Sequence, residues 1–96
     1  MAKLKNTIIV TDHAVERFNE RIGEINRWRL MRRVQRALPA DPSNYPPFVV
    51  PTETKLEMAL EDEEAIYIVR KKVPQSEVIY VVSVLSRILA EKGVPQ

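Results

Sequence analysis

Apolar positions in this chain repeat at about 3.6 residues in the N-terminal part and at two residues in the C-terminal part, with a proline-rich stretch between them. Leu4 to Val10 closes on the β-branched cluster Thr7-Ile8-Ile9-Val10 and predicts a short strand. From there to Gly23 the pattern is helical. At about 100° per residue, Ala14, Val15, Phe18, Ile22 and Ile25 share one arc, while His13, Glu16, Arg17, Glu20 and Arg21 fall outside it. Thr11 or Asp12 suits the N-cap, whose side chain accepts from free backbone N–H groups, and Gly23 suits a left-handed C-cap. Asn26 opens a second predicted helix that runs to Leu38 and is stopped by Pro39. Its apolar side collects Leu30, Met31, Val34, Ala37 and Leu38. The opposite side collects Arg29, Arg32, Arg33 and Arg36, with Trp28 near the border.

Residues 39–51 hold five of the seven prolines and predict an extended connector, pinned to the domain by Tyr45 and Phe48. From Thr52 the period becomes two, with Thr52, Thr54, Leu56, Met58 and Leu60 on one face and Glu53, Lys55, Glu57 and Ala59 on a wet one. An acidic turn at Glu61 to Glu64, a strand from Ala65 to Val73, a turn at 74–77 and a strand from Val78 to Leu85 complete an antiparallel meander. The last strand is apolar nearly throughout, which predicts a central position covered on both faces. Ser86 to Lys92 predicts a helical turn, and residues 93–96 are expected to fray.

Ninety-six residues, 45% hydrophobic and 29% charged, suit a single domain spanning 1–96. With no cysteine and one histidine, disulfides and thiolate metal sites are excluded, and neither a metal nor a cofactor is expected. No apolar run reaches the roughly 18 residues that span a bilayer, so no membrane partner is expected and the cytoplasm is the default compartment. The net charge of +2 conceals segregation: residues 1–38 carry nine Lys/Arg against four Asp/Glu, residues 39–66 one against seven, and residues 67–96 five against two. A basic half of this kind points to a polyanion, unless the acidic segment neutralises it within the fold or across a homodimer.

His13, Arg17 and Arg21 recur at intervals of four and so share a helix face. The motif His13-Ala14-Val15-Glu16-Arg17-Phe18 with Arg21-Ile22-Gly23, and Val81 to Leu85 as a hydrophobic closing strand, resembles the RelE/BrnT-like superfamily of small bacterial and phage ribonuclease toxins. The element order of strand, two helices and antiparallel strands agrees over most of the chain. The resemblance implies an α+β fold, an N-terminal strand and two helices packed on a three- to four-stranded antiparallel sheet. It also implies metal-independent RNA cleavage, with an antitoxin or an acidic host protein as a further partner. In such cleavage a base takes the ribose 2′-hydroxyl proton, a cation stabilises the phosphorane and an acid protonates the leaving oxygen. His13 then supplies the base or acid, since histidine titrates near neutrality, and Arg17 and Arg21 hold the phosphate. Arg70 and Tyr80 join this catalytic set if their strand faces point at the helix.

Two plainer readings stand beside these. His13 also reads as an ordinary first-turn residue whose ring is held by Asp12, Glu16 or a backbone carbonyl, with Arg17 paired to Glu20 or to a sheet carboxylate. The stripe of Arg29, Arg32, Arg33 and Arg36 is either a phosphate-binding surface or a face that meets carboxylates, those of an acidic partner or of the 61–64 turn in a second copy. Three functions follow: an RNA-cleaving toxin-like enzyme, a non-enzymatic module that binds nucleic acid or an acidic protein through its basic helix, and a homodimeric adaptor.

Overall fold

A computed structural model describes residues 7–96; the predicted strand positions 4–6 lie outside the described residues. In chain order the elements are β1 (Thr7–Val10), α1 (Asp12–Arg21), α2 (Arg27–Arg36), β2 (Leu38–Pro39), a 3-10 turn (Pro42–Asn44), β3 (Glu57–Glu61), β4 (Ala65–Arg70), β5 (Val78–Ser86) and α3 (Arg87–Glu91). The α+β class expected from the sequence is what the chain adopts. Its sheet, however, is five-stranded and mixed, in the order β1-β5-β4-β3-β2, with β1 parallel to β5. The expected antiparallel sheet of three to four strands corresponds to β2–β3–β4–β5, and the difference is β1, which adds a fifth, parallel strand at the edge. An apolar strand of four residues carries no mark of the direction in which it will pair. Direction is set instead by the two bonds that flank it, from Thr7 N–H to Glu77 O (2.9 Å) and from Thr11 N–H to Val81 O (3.2 Å).

Both long helices begin where capping chemistry puts them. The Thr11 hydroxyl accepts from Ala14 N–H and donates to Val81 O at 2.8 Å, so one side chain caps α1 and ties its start to the sheet. Asn26 accepts from Arg29 N–H at 2.9 Å and opens α2. The helix ends differ from expectation. The Ile22 and Gly23 N–H groups both bond Phe18 O, and Gly23 does not take the left-handed conformation; among the described residues the glycine that does is Gly93, at φ 74°. Asn19 holds the following connector in place of a glycine cap, accepting from Ile25 N–H at 2.8 Å. α2 stops at Arg36, and Leu38 leaves the apolar face to pair with Glu61 on a two-residue edge strand, where it is 55% exposed. Pro39 suits such an edge because no ladder bond is asked of its nitrogen.

One face of the sheet packs against α1 and α2 through Ile8, Val10, Leu60, Tyr67, Val69, Ile79, Val81 and Val84, which meet Ala14, Phe18, Leu30 and Val34. The other face is also covered, by Tyr45 and Val50 of the proline connector and Ala90 of α3, which meet Ala59, Ile66 and Ile68. This second layer corrects three expectations. Ala59, on the expected wet face of β3, is buried. The central strand is β4, buried without a break from Ala65 to Val69, whereas β5 lies between β4 and β1 and carries a bulge opposite Ile68 and Val69. Residues 93–96 are held, since Gln96 accepts from Ser86 N–H and donates to Ser86 O, and Val94 N–H bonds Leu89 O. Tyr45 pins the connector, donating from its hydroxyl to Glu61, but Phe48 is fully exposed at φ 68°.

The strands are shorter than the alternation suggests. β3 starts at Glu57, because the Thr54 hydroxyl accepts from the N–H groups of Leu56 and Glu57 and turns the chain there. β4 stops at Arg70 as the chain enters the turn before β5.

The two leucines of α2 and its exit test this layering. Leu30 is fully buried and Leu38 is not. Leu30→Ala is expected to cost about 2–5 kcal/mol of stability, the range for emptying a packed core site, and Leu38→Ala less than about 0.5 kcal/mol, as measured by urea unfolding.

Candidate nucleic-acid interface

The five residues expected to form a catalytic centre do not share one surface. His13 is exposed on the first turn of α1 and has no hydrogen-bond partner among the described residues. Arg17 donates to Glu20 at 2.6 Å, one turn along the same helix. Arg21 reaches across to β5 and donates to Val84 O at 2.7 Å. Partial burial, with Arg17 close by, holds the Arg21 guanidinium below its ordinary pKa, and Glu20 offsets part of this. Arg70 and Tyr80 are cross-strand partners of β4 and β5, and they alternate with Val69, Val81 and Ile79 of the helix-facing core. They therefore point to the face of the sheet away from α1. There Arg70 pairs with Glu57, and the Lys72 ammonium lies 5.4 Å from the centroid of the Tyr80 ring. The sheet separates His13 from Tyr80.

α2 carries Arg27, Arg29, Arg32, Arg33 and Arg36 and no acidic residue, and its neighbours divide these arginines into two sets. Arg27 pairs with Asp12 at the start of α1. Arg33 turns inward, where its Nε and one terminal nitrogen donate to Asp62 Oδ2 at 3.0 and 2.9 Å and its guanidinium lies 4.9 Å from the centroid of the Phe18 ring. Glu64 stands 3.5 Å away as a second, looser partner. This corrects the expected four-arginine docking stripe to three members. The helical phase explains which one leaves it: at about 100° per residue, Arg33 lies about 40° from Arg29 on the side of Ala37 and Leu30, so it borders the buried arc. Arg29, Arg32 and Arg36 remain on the outer face, with no carboxylate partner among the described residues. The first six residues contain no carboxylate either.

Asp62 is the residue that sequence reasoning missed. The run Glu61 to Glu64 reads as a solvated turn, yet Asp62 accepts five hydrogen bonds. Oδ1 takes the N–H groups of Glu64 and Ala65, both at 2.9 Å, and Oδ2 takes Arg33 twice and the Tyr67 hydroxyl. Burial alone would raise the Asp62 carboxyl, but hydrogen bonds from Tyr67, from the two N–H groups and from Arg33 outweigh it and hold it below the usual carboxylate range. Burial and the adjoining Asp62 push the Tyr67 hydroxyl well above its ordinary value, so it serves as a fixed donor. On Arg33, burial is outweighed by Tyr67, Asp62 and Glu64, and its pKa is raised. A sequence signal existed, since Asp at the head of a short turn commonly accepts from N–H groups two and three residues on. The pairing with Arg33, 29 residues away, had none.

Between α1 and α2 lies an open groove of about 790 Å³. Ile22 and Ile25 supply its apolar surface over the buried Phe18, and Arg29, Arg32 and Arg36 its cationic side. Trp28 stands at its margin, 62% exposed, with the Arg32 guanidinium 5.3 Å from the ring centroid. Glu24 and Glu64 also line the groove. Among the described residues no group of three or more His, Cys, Asp or Glu side chains is arranged to hold a metal ion. No described helix is long and apolar enough to cross a membrane. No protein-family model, curated protein or solved structure matches this chain.

The pH dependence of folding tests the Asp62 junction. A carboxyl held low in the folded state stabilises above its unfolded pKa, near 4, and that contribution disappears as pH falls through the lower folded value. Asp62→Asn is expected to cost about 2–3 kcal/mol at pH 7, because it leaves Arg33 without its main counter-charge. Urea unfolding between pH 7 and pH 2.5 should show the gap between the two proteins narrowing below about pH 4.

Proposed function

We propose that this protein is a nucleic-acid-binding module whose α2 helix docks on the phosphate backbone through Arg29, Arg32 and Arg36. The supporting observation is the fate of the arginines. Of nine in the chain, Arg17, Arg27, Arg33, Arg70 and Arg87 pair with carboxylates, and Arg21 donates to a backbone carbonyl. The three without such a partner among the described residues are neighbours on one face of one helix. They span about 10 Å along its axis, at 1.5 Å per residue. Three uncompensated guanidinium groups repel one another unless an anion lies across them, and the planar fork matches phosphate oxygens.

RNA is the partner that the toxin resemblance implies, and backbone docking by arginine serves RNA and DNA alike. The positions of the candidate catalytic groups do not favour cleavage. It needs a base, a cation and an acid within reach of one phosphate, whereas His13 and Tyr80 lie on opposite sides of the sheet and Arg17 and Arg70 are engaged by Glu20 and Glu57. The adaptor reading, with α2 meeting the acidic turn of a second copy, is weakened because Asp62 and Glu64 already face Arg33 of their own chain.

Binding measured by fluorescence anisotropy of a labelled oligonucleotide should weaken with salt. The slope of log K against log salt is expected to be about −2 to −3, as three neutralised phosphates require. Replacing Arg32 and Arg36 together by Ala should reduce its magnitude by about 1.5, while His13→Ala leaves it unchanged. A slope indifferent to the arginine substitutions overturns the proposal. Polyglutamate competing as well as an unlabelled strand does so too, in favour of an acidic protein.

A further inference from the structure

Backbone docking accounts for the guanidinium groups but not for what adjoins them. The groove that holds Arg29 and Arg36 also presents an indole that is 62% exposed and an apolar surface from the half-buried Ile22 and Ile25. A second, apolar cleft of about 450 Å³ borders the same indole on the β1 side, between Ile9 and Met31. The Arg32 guanidinium rests on the Trp28 ring, so a cation and an aromatic surface are offered together at one point.

Resting on the nucleic-acid reading above, we infer that the groove takes a single strand, with an unstacked base laid against Trp28, and discriminates against a duplex. In a duplex the faces of the bases are covered by their neighbours. What reaches a protein is phosphate, sugar and base edges, none of which pairs with an apolar groove surface or an indole face. A single strand can turn a base out and stack it on an aromatic ring while its phosphates stay on the arginines.

The carboxylates fix the orientation. Glu24 has no cationic partner among the described residues, and Glu64 faces Arg33 at 3.5 Å. Both would repel a phosphate led along their side of the groove. The backbone therefore follows Arg29, Arg32 and Arg36, and the bases turn toward Ile22 and Ile25. Carboxylate oxygens accept from the amino groups of bases, so the same side chains that exclude the backbone tolerate a base edge.

Trp28 is the only tryptophan in the chain, so its emission reports this groove alone. The full chain is titrated with a labelled mixed-sequence strand of about 12 nucleotides, within the common range of single-strand site sizes, and separately with the duplex of that strand. Anisotropy of the label measures binding, and Trp28 emission measures contact at the ring. The expected result is quenching of Trp28 by the single strand, little change with the duplex, and tighter binding of the strand by about tenfold or more. Trp28→Ala should weaken single-strand binding by about 5- to 150-fold, the equivalent of one lost base stack. It should alter duplex binding less than about twofold, and Trp28→Phe should restore most of the loss. An unchanged thermal midpoint in these variants separates loss of a stacking surface from loss of structure. Equal affinity for strand and duplex without quenching, or equal loss of both in Trp28→Ala, overturns the single-strand inference and leaves backbone docking standing. Failure of both ligands to bind overturns the nucleic-acid reading itself, and this inference with it.

Discussion

The contact on which the rest of the molecule depends is the half-buried junction of Arg33, Asp62 and Tyr67. It joins the middle of α2 to the β3–β4 turn, 29 residues further along the chain, and to the central strand that follows that turn. A lone carboxylate at this depth would be costly, and so would a lone guanidinium. Each is tolerable because the other is present and because two backbone N–H groups and a hydroxyl saturate the remaining acceptor sites. The junction is also directional. It fixes the rotation of α2 about its own axis, and with that rotation set, Leu30 and Val34 face the core while Arg29, Arg32 and Arg36 face out.

The second constraint is the closure of the far face of the sheet. A 96-residue chain with two helices on one side would leave Ala59, Ile66 and Ile68 in water. The proline connector solves this by crossing beneath the sheet, held by the Tyr45 hydroxyl on Glu61. Burial, together with Glu61, pushes that hydroxyl up to about 12, so it remains a donor at neutral pH. α3 adds Ala90, and the side chain of Gln96 pairs with the backbone of Ser86 much as a neighbouring strand would. β4 thus has a dry environment on both faces. The strand with the longest unbroken burial is Ala65 to Val69, although Val78 to Leu85 is the longer apolar run.

What could be read from the sequence was local. Thr11 and Asn26 cap where they stand, because a cap requires only that its oxygen lie three residues before a free N–H. The arcs of α1 and α2 follow from periodicity, and so does the meander from β3 to β5. Most of the failures are contacts set by distant partners, and the end of α1 is a local exception. Gly23 has the freedom to form a left-handed cap, but Asn19 holds the connector in another way. Leu38 fits the helical period until its pairing with β3 draws it into an edge strand. Arg70 and Tyr80 join His13 only if their strand faces point at the helix, and face is decided by register, which one-dimensional pattern does not carry across a bulge. For the candidate site, Trp28, Arg29, Arg32 and Arg36 were visible as a stripe, while the loss of Arg33 from it depends on an aspartate 29 residues away.

Net charge is a poor guide to what such a molecule can attract. At +2 this chain is close to neutral, and its central third is strongly acidic. Charges that are paired within the fold contribute little field beyond a few ångströms, whereas unpaired ones of like sign add. Glu57, Asp62, Glu64 and Glu91 all meet arginines of the same chain. The three guanidinium groups left over lie together at a concave surface. There the low-dielectric wall of Phe18, Ile22 and Ile25 leaves their field less screened than on an open helix. The acidic segment therefore does not cancel the basic helix. By engaging Arg33 at the core it sets the rotation that leaves the other three exposed.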